Sequence, residues 1–285
     1  MEKAKLTFLG TGTSQGIPMI GCGCEVCKSE DPRDKRLRAS VLVEYCGMRI
    51  LVDAGPDFRY QMLRAGVSHL DAILLTHNHK DHTGGLDDIR AFNYLERKPA
   101  EIWCEKYVEE SLRKEYSYAF EAKKYPGAPE WHIHTIDENP FEVRTWKNTG
   151  NLVWESGVGY SYADSGSAPL TDRSATVIPI RGMHYKLPVL GFRFGNIAYC
   201  TDMNFIPECE FEKLHGLDHF VINCVKEGKH ISHFSLSEAV EVAQRVGAKH
   251  SWLTHLSHQL PVYESLVKKI PDGSILPAYD GLVLA

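Results

Sequence analysis

The segment THNHKDH (residues 76–82) gathers His77, His79, Asp81 and His82 into one short turn. It follows the apolar run DAILL and precedes TGG. A chain that turns sharply after a buried strand can aim His77 and His79 the same way while Asp81 and His82 converge beside them. Neutral imidazole and carboxylate suit zinc, manganese, iron and related divalent ions. A solvated polar loop explains one stray histidine, but not H-x-H-x-D-H at this position. A second cluster, GCGCEVC (residues 21–27), holds Cys22, Cys24 and Cys27 as C-x-C-x-x-C. Structural zinc takes four ligands in a tetrahedron, so three thiols leave one position to be found elsewhere. A further H-x-H, His132 and His134 in WHIHTI, lacks the following D-H, and strand alternation accounts for it.

These side chains need elements to position them. KLTFLG reads as a strand, and 40–55 as two strands turning near Cys46 and Gly47. DAILLTH (71–77) is an apolar strand running into the histidine turn. Residues 84–95 and 106–125 carry helical periodicity. VLGFRFGNIAYCTD (189–202) reads as a hairpin turning at Gly195 and Asn196. SLSEAVEVAQRVGA (235–248) is a helix with Ser235 as cap, Glu238 three residues on and Gly247 at its end. PVYESLVKKI is a helix begun by Pro261, and SILPAYDGLVL a closing strand. Strands and helices mix throughout, which gives an α/β or α+β class, and 285 residues suffice for one large domain or two small ones. Residues 144–175, rich in glycine, serine and aromatics, read as a surface excursion. GTGTSQG has the spacing G-x-G-x-x-x-G, and Pro18 stands where a helix should begin. A dinucleotide site is therefore not indicated.

Taken together, these motifs resemble the signature of the metallo-β-lactamase superfamily. The resemblance implies a single domain over 1–285, an αββα sandwich with a binuclear metal site between two sheets. Asp53 in VDAG matches the family's acidic motif. His184 in RGMHYKLPVLGF, Asp202 in AYCTD and His255 in LTHLSH match its remaining ligands. The implied set is His77, His79 and His184 on one metal, Asp81, His82 and His255 on the other, and Asp202 between them. LGTGTSQGIPMIGCGCEVC followed by RLRASVLVE is similar to the branch of phosphoribosyl cyclic phosphodiesterases. That likeness implies one structural zinc on Cys22, Cys24, Cys27 and His258. It also implies a catalytic His233, just ahead of the helix begun at Ser235, with Asp81 orienting the nucleophile. His230 is the rival and reads as structural or solvated. The expected chemistry is hydrolysis of a small cyclic phosphodiester, because two cations lower the pKa of a shared water and clamp phosphoryl oxygens. Alternatives on the same ligands are a lactone or thioester hydrolase and an RNA-processing nuclease. A redox protein like those of pyrroloquinoline quinone synthesis is a third. Trp146, Trp154, Tyr160 and Tyr162 in the excursion suit a lid or a homodimer contact.

Bulk composition narrows the partners. Net charge is −5, from 32 basic and 37 acidic residues, with no basic stripe, so a nucleic-acid footprint is not indicated. No apolar run reaches the length of a membrane span. The first ten residues lack a secretory signal, which makes the cytoplasm the expected compartment and the eight cysteines reduced. A small-molecule substrate is the expected partner.

Overall fold

The computed structural model describes residues 2–144 and 173–285, together with the backbone of 152–155 and 159–162. Two seven-stranded sheets form its centre. The first contains β1 (Lys5–Gly10), β2 (Ser40–Tyr45), β3 (Met48–Val52), β4 (Ala72–Leu74), β5 (Ala100–Cys104), β6 (Trp131–Thr135) and the last strand, β16 (Val283–Leu284). Its order is β16-β1-β2-β3-β4-β5-β6. The second contains β7 (Phe141–Arg144), β10 (Ser174–His184), β11 (Leu187–Phe194), β12 (Ile197–Cys200), β13 (His219–Asn223), β14 (His250–Thr254) and β15 (Ile275–Pro277), in the order β15-β14-β13-β12-β11-β10-β7. Strands β8 (Leu152–Glu155) and β9 (Gly159–Tyr162) make a separate two-stranded ribbon.

Each sheet is antiparallel at its hairpins and parallel where helices cross over. β3, β4, β5 and β6 run parallel, as do β12, β13, β14 and β15. Parallel strands covered on both faces read as continuous apolar runs, which is why AILL and HFVINCV show no alternation. Between the sheets lie Phe8, Val41, Ile50, Leu74, Phe192, Tyr199 and Val221. Outside the first sheet, Leu51, Ile73 and Ile102 pack on α2 (Phe58–Ala65) and α5 (Lys106–Glu115). Outside the second, Phe220, Ile222 and Leu253 pack on α6 (Leu236–Val246) and α7 (Tyr263–Lys269). The remaining α-helices among the described residues are α1 (Glu25–Lys28), α3 (Lys80–Thr83) and α4 (Arg90–Glu96). This is the αββα sandwich that the sequence resemblance implies.

The hairpin at Cys46 and Gly47 has positive φ at both residues, 51° and 69°, which matches its twist to that of the flanking strands. α6 carries the full capping box between Ser235 and Glu238 and ends on Gly247 in the left-handed region. Two expectations change. The helical pattern over 106–125 yields α5 only to Glu115, where Tyr116 turns in and donates its hydroxyl to the Thr83 carbonyl. SILPAYDGLVL is not one strand: β15 joins the second sheet, and after a turn β16 joins the first. β7 and β10 pair antiparallel with Arg144 opposite Ser174, so the chain leaves and re-enters the second sheet at neighbouring points. The side chains expected to make a lid or dimer contact lie outside the described residues. No helix among the described residues is long and apolar enough to cross a membrane.

Candidate active site

The site lies beyond the C-terminal ends of the parallel strands, where consecutive backbones diverge and polar side chains can converge. Asp53 follows β3, Asp202 follows β12 and His255 follows β14. All three hold positive φ (64°, 57° and 55°), a conformation uncommon outside glycine. Strain of this kind persists only where surrounding structure fixes it, and it concentrates at functional sites. The histidine turn is fastened to VDAG by backbone bonds, Ala54 N–H to the His82 carbonyl at 2.8 Å and Gly85 N–H to the Ala54 carbonyl at 2.9 Å.

Around this frame the seven expected side chains converge. The rings of His77 and His79 lie 4.6 Å apart, and those of His79 and His184 5.0 Å apart. His82 and His255 stack at 5.9 Å. The Asp202 carboxylate stands in the middle. Its Oδ2 is 3.2 Å from His82 Nε2 and 3.2 Å from His255 Nδ1, and Asp81 Oδ2 is 3.3 Å from His82 Nε2. Such spacings are those of donors sharing an ion, since ligands ~2.0–2.2 Å from a zinc sit about 3.3 Å apart on a tetrahedral edge.

Hydrogen bonds fix which nitrogen each ring presents. The Thr76 hydroxyl donates to Asp53 Oδ2 at 2.9 Å and so accepts from His77 Nδ1, also at 2.9 Å. His82 Nδ1 donates to Asp53 Oδ2 at 2.7 Å. His184 Nδ1 donates to the Ser232 carbonyl at 2.9 Å. In each case Nε2 is left as the free donor atom, the arrangement by which outer partners orient metal-binding histidines. His77 Nε2, His82 Nε2 and His255 Nδ1 are buried without a hydrogen-bond partner among the described residues. Buried polar atoms are rarely left so, and each costs free energy when it is.

Charge makes the same point. Burial disfavours a charged His82, yet Asp202, Asp53 and Asp81 around it hold the ring well above its ordinary pKa. Burial lowers His77, with His82 adding to the effect. Burial opposes ionisation of Asp202 and Asp81, but the neighbouring imidazoles outweigh it and both stay below the usual carboxylate range. Three carboxylates converging in a buried site call for a cation. The residues present therefore fit divalent metal ions.

His233 lies at the edge of this centre. Its ring is 4.5 Å from His184 and 4.8 Å from His255, and its Nδ1 is 3.8 Å from Asp202 Oδ1. Burial, reinforced by His255, pushes it down to about 3. His230 stands farther out, 5.0 Å from the His233 ring.

The cysteine loop meets the C-terminal half of the chain. Cys22 Sγ is 3.3 Å and Cys24 Sγ 3.5 Å from His258 Nδ1, and the donor atoms of Cys22, Cys24, Cys27 and His258 all lie within 4.8 Å of one another. The backbone N–H of Cys27, with His258 assisting, lowers the Cys24 thiol to about 6, whereas burial raises Cys27 to about 11. Three thiols and one imidazole in this geometry fit structural zinc. His132 and His134 lie away from both groups, on β6, where they pair with Glu101.

Some contributors are silent in the sequence. Thr76 orients His77, and the Ser232 carbonyl orients His184. Thr76 carries one weak signal, adjacency to His77, and a backbone carbonyl carries none. Tyr199 reads as an ordinary core strand residue, yet its buried hydroxyl has no partner among the described residues.

Known proteins share this organisation. A family model described as a beta-lactamase superfamily domain matches residues 48–256. A solved structure described as a new diphosphatase from the PhnP family is 34% identical, with a TM-score of 0.81, covering 99% of this chain and 98% of that one. A protein of Porphyromonas gingivalis named octanoyltransferase is 38% identical over 278 residues, which is 96% of this chain and 50% of that protein. This chain thus spans half the length of that relative. A ribonuclease Z of Pyrobaculum calidifontis is 24% identical over 300 residues, 92% of this chain and 89% of that protein. The chain belongs to the metallo-β-lactamase superfamily of hydrolases and lies close to its PhnP branch.

Proposed function

We propose that this chain hydrolyses a small cyclic phosphodiester of the ribose 1,2-cyclic phosphate type at a binuclear metal centre. The observation that carries this reading is the Asp202 carboxylate, placed within 3.2 Å of free nitrogens of both His82 and His255. His77, His79 and His184 would hold one ion, Asp81, His82 and His255 the other, and Asp202 both. When bound, two such ions lower the pKa of a shared water and neutralise charge on phosphoryl oxygens. Asp81 orients the attacking water and can accept its proton. His233 borders the same space and serves the leaving oxygen. An anionic substrate beside it favours its charged form, opposing the effect of burial. The structural zinc on Cys22, Cys24, Cys27 and His258 would brace the loop that carries His255.

The test is steady-state hydrolysis of ribose 1,2-cyclic phosphate by manganese- or zinc-loaded protein. Loss of a general acid–base group costs about 10²–10⁴-fold in rate, so His233→Ala is expected to lose that much at unchanged metal content. A fully loaded protein with no turnover of this substrate overturns the cyclic-phosphate reading. A second reading has one observation in its favour, the 34% identical solved protein described as a diphosphatase. It replaces the ester by a phosphoric anhydride on the same residues. Turnover of a nucleoside diphosphate derivative, with none of the cyclic ester, decides for it.

A further inference from the structure

We propose that Glu101, His132 and His134 form an additional binding site for a borderline divalent cation such as zinc, copper or nickel, separate from the candidate active site and from the cysteine cluster. β6 is the edge strand of the first sheet, and H-x-H along it puts both imidazoles on one face. Parallel pairing sets Glu101 opposite His132 and Trp103 opposite His134. One carboxylate oxygen, Glu101 Oε2, lies 3.0 Å from His132 Nδ1 and 2.6 Å from His134 Nε2. The three donor atoms all fall within 4.8 Å of one another. An ion would replace these close contacts, the donors moving apart from 2.6–3.0 Å to about 3.3 Å so that each lies about 2.0–2.2 Å from it.

The cluster is held in place rather than merely adjacent. His134 stacks on Trp103 at 4.3 Å and 14°, and Trp103 belongs to the core between the sheets. The Glu101 side chain is only 9% exposed, and its ionic partners among the described residues are these two imidazoles alone. A carboxylate so enclosed needs positive charge. Without an ion the two imidazoles meet it at close range, and a cation would take the place of those contacts. His132, with 54% of its side chain exposed, leaves the entrance open to solvent. Two nitrogens and one oxygen suit borderline ions better than calcium or magnesium. The donors sit within β5 and the edge strand β6, whereas the active-site ligands other than His184, the last residue of β10, lie beyond strand ends. The ion would therefore belong to the edge of the sandwich.

The test counts zinc bound to the full chain after equilibrium dialysis against micromolar free zinc. The double variant His132→Gln/His134→Gln is expected to carry one zinc fewer per chain than the natural sequence. Glu101→Gln is expected to weaken that same zinc at least tenfold. Retention of the other zincs is the control for folding. If the double variant loses those as well, the single variant His132→Gln, at the exposed position, decides by the same count. Equal zinc content and equal affinity in natural and variant chains overturn the proposal.

Discussion

At the scale of single residues, the candidate site depends on partners one bond behind the ligands. Asp53 accepts from both the Thr76 hydroxyl and His82 Nδ1, and through them it sets the tautomers of His77 and His82. Removing such an outer partner costs about 10–100-fold in metal affinity. Asp53→Asn is therefore expected to bind active-site metal 10–100-fold more weakly in chelator competition, with its circular dichroism unchanged. Unaltered affinity would show that Asp53 serves packing alone. The sequence shows His77, His79, Asp81 and His82 directly, because neighbours in the chain supply one half of the site. Asp202 and His255 are visible only through family likeness, since no local pattern links residues brought together by separate strands. The Ser232 carbonyl behind His184 could not be read at all, because any residue type supplies one.

At the scale of elements, the close approach of VDAG to the histidine turn is enforced by glycine. A Cβ on Gly55 would stand 1.9 Å from the Asp81 carbonyl oxygen, a backbone atom that cannot swing aside. Overpacking of this kind costs roughly 1–3 kcal/mol. Gly55→Ala is expected to lower stability by that amount in denaturant titration. It is also expected to shift Asp81 enough to reduce turnover, while Gly273→Ala, with open space around it and no left-handed φ, leaves turnover intact. The short-range signals were readable here: the turn at Cys46 and Gly47, and the Ser235 and Glu238 box. The last strand and the end of α5 were not. Both are settled by distant partners, β16 by its register with Leu6 and Thr7, and α5 by the burial of Tyr116 against Trp131. Periodicity along the chain contains no record of either.

At the scale of the whole molecule, the sandwich is closed by contacts between segments far apart in sequence. The cysteine loop reaches residue 258 across a separation of 236 residues. Zinc there would tie the first strand's loop to the segment after β14. Cys24→Ser is expected to lose one zinc per chain and to melt at a lower temperature. An unchanged zinc count would remove these four residues as a site. His258 stands three residues beyond His255, so one short loop carries a donor for each of two ions. Two binding equilibria that share a rigid strut form a thermodynamic square, and the sides of a square must agree. Whatever factor the zinc adds to the affinity for the active-site cation, that cation must add to the affinity for zinc. Titrating each ion in the presence and absence of the other should give the same ratio by both routes, and a ratio of one would mean that the loop transmits nothing.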